Sequence, residues 1–202
     1  MNLPIVYINL ARRSDRNMQI KAEFDKLGVS AIRYEAVECK PGVVGCMKSH
    51  LGVLEMAQEQ GWECVMVCED DSHFKVSKDQ FRETVNHILQ EKDWNIVLGG
   101  YNDIGTSFEK YNKLLSKVFD AQAYCCYIIH SRYYNSFKAY LEYCIEGMIN
   151  TGRHWEYAID QYCKRFQRKD KWLACVPKLA KQRGGMSDAG HTPRYISAFD
   201  HF

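Results

Sequence analysis

Long apolar runs are missing from this chain. No window approaches the roughly 18 to 20 apolar residues a helix needs to cross a bilayer. Met1-Asn2-Leu3-Pro4 leads straight into a strand pattern instead of the core of a secretory leader. The expectation is a cytoplasmic protein without a transmembrane segment. An excess of one charge is also missing: 27 Lys and Arg stand against 25 Asp and Glu, a formal net charge of +2, which removes the case for a nucleic-acid-binding surface spread over the molecule. The nine cysteines are an odd number without a CxxC pair or zinc-ligand spacing. Several fall inside apolar segments (Cys64, Cys68, Cys125, Cys126), where a free thiol packs as a small hydrophobe. Reduced, structural cysteines are expected. Repeats, heptads, low-complexity tracts and linkers are absent, and 202 residues at 46% hydrophobic content suit one well-packed domain.

What is present is an alternation of short apolar runs with helical stripes. Residues 4–9 read as a strand; Ile20, Phe24 and Leu27 follow at helical spacing before Gly28 ends the helix. Residues 31–37 read as a strand, and Val44, Met47, Leu51 and Leu54 mark a helix closed by Gly61. A strand over 63–68 completes strand, helix, strand, helix, strand, the pattern of a parallel sheet with helices on its faces. Downstream, the patterns predict a helix over 77–91 and a strand over 95–98 ending at Gly99-Gly100. They then predict a strand over 121–129, a helix capped by Ser131, a helix over 153–166 and a strand over 172–176. Residues 101–117 show little periodicity, and nothing regular is expected from Gly184 onward.

The most informative stretch is Val65-Met66-Val67-Cys68-Glu69-Asp70-Asp71, a buried-strand pattern that stops at three consecutive acids. Open α/β proteins bind ligands at such strand ends. Adjacent carboxylates repel, so an exposed cluster needs water, an arginine or a hard divalent cation to compensate it. A metal-bridged diphosphate is the leading explanation, and the alternative is that Asp70 or Asp71 caps a turn. Upstream lie Ile8-Asn9-Leu10-Ala11-Arg12-Arg13-Ser14-Asp15-Arg16 and Gly42-Val43-Val44-Gly45-Cys46-Met47-Lys48-Ser49-His50. The second is not a phosphate loop, because the GxxxxGK[ST] spacing is missing.

In order and spacing, these three segments resemble the family 25 glycosyltransferases, which include bacterial lipooligosaccharide galactosyltransferases and collagen hydroxylysine galactosyltransferases. The resemblance implies a single-domain GT-A fold, a Rossmann-like, mostly parallel α/β sheet flanked by helices, over residues 1–202. It also implies transfer of galactose or glucose from a UDP-sugar donor to a glycan or hydroxylated acceptor, with inversion. Manganese or magnesium would be the cofactor, since either suits carboxylate and phosphate oxygens. In the family the acidic motif is equated with a metal-binding DxD element. Asp71, with Glu69 or Asp70, fits that role; because the first position here is Glu69, metal contact goes mainly to Asp71, with Glu69 nearer the donor ribose or sugar and Asp70 also a donor-site candidate.

Arginine forks suit phosphate oxygens, and the resemblance of the first segment to the family pattern implies Asn9, Leu10, Arg12 and Arg16 as donor-binding residues. Arg13 has the competing reading of a solvated helix face. Ser49 and His50 recur beside the donor site in the family, although a lone helical histidine is more often structural. An inverting transfer needs a general base for the acceptor hydroxyl. Asp160 matches a family aspartate, and Glu156, four residues earlier, would share its helix face; the competing reading is a solvated face with Lys164 as ion-pair partner. Residues 184–202 are either an unpatterned tail or one that folds over the diphosphate, with Asp188 or His191 completing the metal shell. Two further readings remain open: a sugar nucleotidyltransferase, and an inactive sugar-nucleotide or glycan-binding module of the same fold.

Overall fold

The computed structural model describes residues 3–102 and 108–188, and the backbone of 194–196. Strand β1 (Ile5–Asn9) is buried throughout. Helix α1 (Ser14–Leu27) buries Ile20, Phe24 and Leu27 and stops at Gly28, whose φ of +63° is the left-handed conformation that suits a residue without Cβ. Strand β2 (Ile32–Glu35) is a half-exposed edge. Helix α2 (Gly42–Glu59) follows, then β3 (Cys64–Glu69).

The chain steps from β1 to β2 on one side and returns past β1 to β3 on the other, both pairs parallel. Reversing direction puts the two crossover helices on opposite faces. Side chains alternate accordingly: Val6, Ile8, Val65 and Val67 pack under α2, while Ile5, Tyr7, Met66 and Cys68 pack under α1. The reversal leaves a crevice beyond the carboxyl ends of β1 and β3, where open α/β sheets bind ligands.

Beyond the acids the chain turns into β4 (Ser72–Phe74) and then α3 (Lys78–Gln90), whose Ser77 and Gln80 form a reciprocal capping box. Strand β5 (Ile96–Asn102) runs on through Gly99 and Gly100, where the residue pattern predicts a break. A Cβ on Gly100 would stand 2.6 Å from Cys125 Sγ, so glycine here permits close strand approach instead of ending the strand. The unpatterned 101–117 stretch contains β6 (Phe108–Lys110) and β7 (Leu115–Val118), with 103–107 outside the described residues.

Strand β8 (Gln122–His130) inserts antiparallel between β3 and β5. A 3-10 turn (Ser131–Tyr133), capped by His130 and not by Ser131, leads into α4 (Tyr134–Thr151). The expected helix over 153–166 is two pieces, α5 (His154–Tyr157) and α6 (Ile159–Lys169), because Ala158 is extended (φ −64°, ψ 133°). The chain then forms β9 (Trp172–Cys175), β10 (Ala180–Gln182), β11 (Gly185–Ser187) and β12 (Arg194–Ile196).

Among the described residues, eight strands make one sheet in the order β2-β1-β3-β8-β5-β9-β7-β6; β10 pairs with β4, and β11 with β12. The fold is the expected single α/β unit with helices on both faces, and its sheet is mixed. The pairs β1/β2, β1/β3 and β5/β9 are parallel, and the rest of that sheet is antiparallel. One core lies under α2, α4 and α6, the other under α1 and α3. No helix among the described residues is long and apolar enough to cross a membrane.

The second expected motif has a packing role. Ser49 Oγ donates to Gly45 O (2.7 Å) and accepts from Val37 N (2.8 Å), tying the β2–α2 connection to the helix. A Cβ on Gly45 would lie 2.4 Å from Val37 O. Backbone cannot swing away as a side chain can, so Gly45→Ala should lower stability by about 1 to 3 kcal/mol. The urea midpoint should fall without a change in its slope.

Candidate active site at the carboxyl ends of β1 and β3

The parallel register sets Ile8 opposite Glu69, which places Asn9 beside the three acids. Asn9 is buried, and its side chain is oriented from three sides. Arg33 Nε donates to Oδ1 (3.1 Å), while Nδ2 donates to Arg13 O (3.1 Å) and to Asp70 Oδ2 (2.8 Å). Arg16, from the first turn of α1, donates to Asp70 Oδ1 (2.8 Å) and reaches Asp71 Oδ2 (3.4 Å).

Asp71, expected to be exposed, is buried: 5% of it is accessible. Gln182 Nε2 donates to Oδ2 (3.1 Å) and Arg183 N to the backbone oxygen (2.7 Å), so β10 closes over the carboxylate. Its Oδ1 is buried with no hydrogen-bond partner among the described residues. Burial and then the Glu69 charge push the Asp71 carboxyl up to about 7, with Arg16 opposing and Asp70 adding to the rise. Burial likewise raises Asp70, against Arg16 and Asn9. A buried carboxylate oxygen without a partner suits a hard divalent cation, which would supply the missing contact.

The arginines are arranged differently from expectation. Arg13, for which a solvated helix face is the competing reading, has a side chain only 14% exposed, and it donates to Asp188 Oδ2 (2.6 Å), Asp15 and Met186 O. Arg12 is 48% exposed and divides itself between Glu38 Oε1 (2.8 Å) and Asp188 Oδ1 (2.9 Å). Arg16 also donates to Met186 O (2.7 Å). The segment 185–188 therefore lies across all three guanidiniums, and Asp188 faces arginines. Burial opposes its ionisation, but the hydrogen bonds from Arg13 and Arg12 hold its carboxyl below the usual range. Leu10 closes the turn between β1 and α1 by accepting from Arg13 N (2.9 Å). His191 lies outside the described residues.

Ser49 is fully buried with its hydroxyl engaged by backbone, so the structure keeps it out of the crevice. His50, one residue on, faces the acids: Nε2 is 3.7 Å from Glu69 Oε1, and Nδ1 is 2.9 Å from Tyr127 Oη. Cys46, one turn earlier on α2, joins them. Burial, then the charges of Glu69, Asp160, Asp71 and Asp70, drive its thiol well above its usual range.

Asp160 is half-buried. It sits in the first turn of α6, where Oδ1 accepts from Gln161 N (2.9 Å) and Oδ2 from Ala123 N (3.2 Å). Ala123 carries a φ of +52°, a left-handed conformation costing about 1 to 2 kcal/mol in a residue with Cβ. Glu156 does not share Asp160's helix face, because the break at Ala158 separates them; it pairs with Arg153 (2.9 Å). Lys164 pairs with Asp120 (3.0 Å) and leaves Asp160 alone. Sequence reasoning left Arg13 between an anion contact and a solvated face, and it missed Gln182, Tyr127 and Cys46. Of these, Cys46 alone carried a local signal, its i, i+4 spacing from His50.

No family model matches the chain, and no curated protein matches it. Solved structures do. A glycosyltransferase involved in the glycosylation of the major capsid of PBCV-1 aligns over 93% of this chain and 95% of its own, with a TM-score of 0.57 at 9% identity. A197 from STIV aligns over 98% and 95% (TM-score 0.49, 12% identity), and mannose-1-phosphate geranyltransferase from Thermus thermophilus over 90% and 74% (0.48, 9%). The first likeness establishes a GT-A-like fold.

The buried acid makes a pH-dependent prediction. Asp71 binds its proton more tightly folded than unfolded, so its contribution to stability is full below about pH 3.8 and lost as pH rises through about 7. Asp71→Asn should therefore stabilise the ligand-free protein at pH 8 by at least about 1.4 kcal/mol, the worth of one pKa unit. The difference should shrink toward pH 4, as thermal melts across that range will show.

Proposed function

We propose that this protein is a metal-dependent hexosyltransferase of the family 25 kind, moving galactose or glucose from a UDP-sugar to a glycan or hydroxylated acceptor with inversion. The observation that carries this reading is the partnerless Asp71 Oδ1, buried beyond the carboxyl ends of two parallel strands among Glu69, Asp70 and Arg16. The GT-A-like fold and the three motifs support it. The aligned capsid glycosyltransferase offers a precedent for sugar transfer on this fold.

Asp71 and Glu69 are the residues to hold manganese or magnesium, which neutralises charge on a diphosphate leaving group. Asn9 and Leu10 border the position for uracil and ribose at the end of β1. Asp188 fills the forks of Arg12 and Arg13 with a carboxylate, and a diphosphate suits the same donors. In this reading the donor displaces Asp188 and takes over both arginines. The strap at 185–188 then shields the diphosphate from water. Asp160 acts as the base: its carboxylate takes the proton of the acceptor hydroxyl as that oxygen attacks the anomeric carbon opposite the leaving group. Its two backbone donors hold the carboxylate in place for that transfer.

Calorimetric titration with UDP and manganese should show binding that Asp71→Asn abolishes. Arg13→Ala should weaken it by about 1.5 to 3 kcal/mol, the range for a lost charged hydrogen bond. Asp160→Asn should leave UDP affinity unchanged and cut transfer by about 100-fold or more. Unaltered UDP affinity in Asp71→Asn would refute the metal assignment. Release of pyrophosphate from a nucleoside triphosphate and a sugar phosphate would identify a nucleotidyltransferase instead.

A further inference from the structure

Among the described residues, ligand atoms of Cys46, His50 and Glu69 all lie within 4.8 Å of one another. Cys46 and His50 are four residues apart and project from the same face of α2; Glu69 is the last residue of β3. We propose that these three side chains form a second metal site, one that takes a thiophilic divalent cation such as Zn2+ and is chemically distinct from the hard-cation position at Asp71.

Donor chemistry separates the two. Manganese and magnesium prefer oxygen ligands, whereas a thiolate, an imidazole and one carboxylate suit zinc. Zinc bonds of about 2.0 to 2.3 Å in a tetrahedron need ligand atoms roughly 3.3 to 3.8 Å apart. His50 Nε2 and Glu69 Oε1 already stand 3.7 Å apart, and small side-chain rotations bring in Cys46 Sγ.

The histidine is prepared for this role. With Nε2 on the metal, Nδ1 keeps its hydrogen and donates it to Tyr127 Oη, 2.9 Å away, the outer contact that fixes ring orientation and raises ligand basicity. The Tyr127 ring also stacks on the imidazole at 5.7 Å between centroids. Glu69 is 31% exposed and gives the ion a path in, while His50 behind it is buried. Binding converts the Cys46 thiol to thiolate, with its proton released to solvent. Three protein ligands leave a fourth position for water or a substrate oxygen. The site stands without the donor reading; only its effect on the donor rests on that reading, because an ion holding Glu69 withdraws that carboxylate from the nucleotide sugar and from the manganese or magnesium position, which then rests on Asp71.

The test uses Co2+ as a spectroscopic substitute for zinc, added to the full chain under a phosphine reductant. Saturable binding of one ion with a sulfur-to-cobalt charge-transfer band in the near ultraviolet is expected. Zn2+ should displace it, and excess Mg2+ should not. Cys46→Ser should remove the band and Cys39→Ser keep it, while Tyr127→Phe should weaken cobalt affinity about 10- to 100-fold. Absence of the band at saturation in the wild type, or its survival in Cys46→Ser, overturns the site. If Cys46→Ser fails to fold by circular dichroism, Glu69→Gln decides: at least a tenfold loss of affinity supports the site, and unchanged affinity overturns it. Asp71→Asn should lose UDP and manganese while retaining the band. A wild type that shows the band but never binds UDP therefore refutes the donor reading alone.

Discussion

The site depends on one guanidinium and the charge it leaves uncompensated. Arg16 reaches from α1 to Asp70 and Asp71 and also holds the backbone of Met186. A single positive charge thereby links the first helix, the acidic end of β3 and the strap at 185–188. It satisfies Asp70 together with Asn9, yet one Asp71 oxygen remains without a partner in a buried setting. A protein that keeps a buried carboxylate half-satisfied carries a destabilising charge in the absence of ligand. That deficit is what a cation would remove, so stability and ligand binding are opposing demands on the same side chain.

The topology makes this arrangement accessible. Because the chain reverses direction after β2, α1 and α2 lie on opposite faces and their ends nearest the site flank one crevice. From α1 come the arginines; from α2 come Cys46 and His50. Antiparallel β8 adds its first residues beside Asp160, and β10 and β4 close the floor beneath Asp71. The crevice is therefore built from rigid elements on most sides, with the 185–188 strap lying across the basic rim.

Charge is distributed across the crevice in a graded way. On one side guanidiniums meet Asp188, whose carboxyl they hold ionised against the cost of its partial burial. On the other, partial burial and then the charges of Glu69, Asp160, Asp71 and Asp70 raise the half-buried Cys46 thiol above its usual range. Basic and acidic side chains thus lie on separate sides, and Glu69 carries its charge both toward Asp71 and toward the Cys46 and His50 pair on α2.

Much of the first third is legible in the residue pattern, because its signals are local. Side-chain periods of 2 and 3.6, Gly28 in its left-handed turn and the stop of an apolar run at three acids each act over a few residues. Five elements and the acidic strand end follow from them. The remainder depends on partners far away in the chain. Strand β8 has the same alternation whichever way it runs, so its antiparallel insertion is settled by pairing with the distant β3. Strands of three residues such as β4 and β10 are too short to show a period, yet they bury Asp71. Arg12 and Arg13 are chemically identical neighbours, and only the folded path of 185–188 gives Arg13 the sheltered position. Ser49 and His50 are likewise adjacent on one helix, and a rotation of about 100° per residue turns one into the packing and the other toward the acids. Local pattern specifies the longer elements; the short strands, burial, pKa and the company each side chain keeps arise from contacts across tens of residues that no local period encodes.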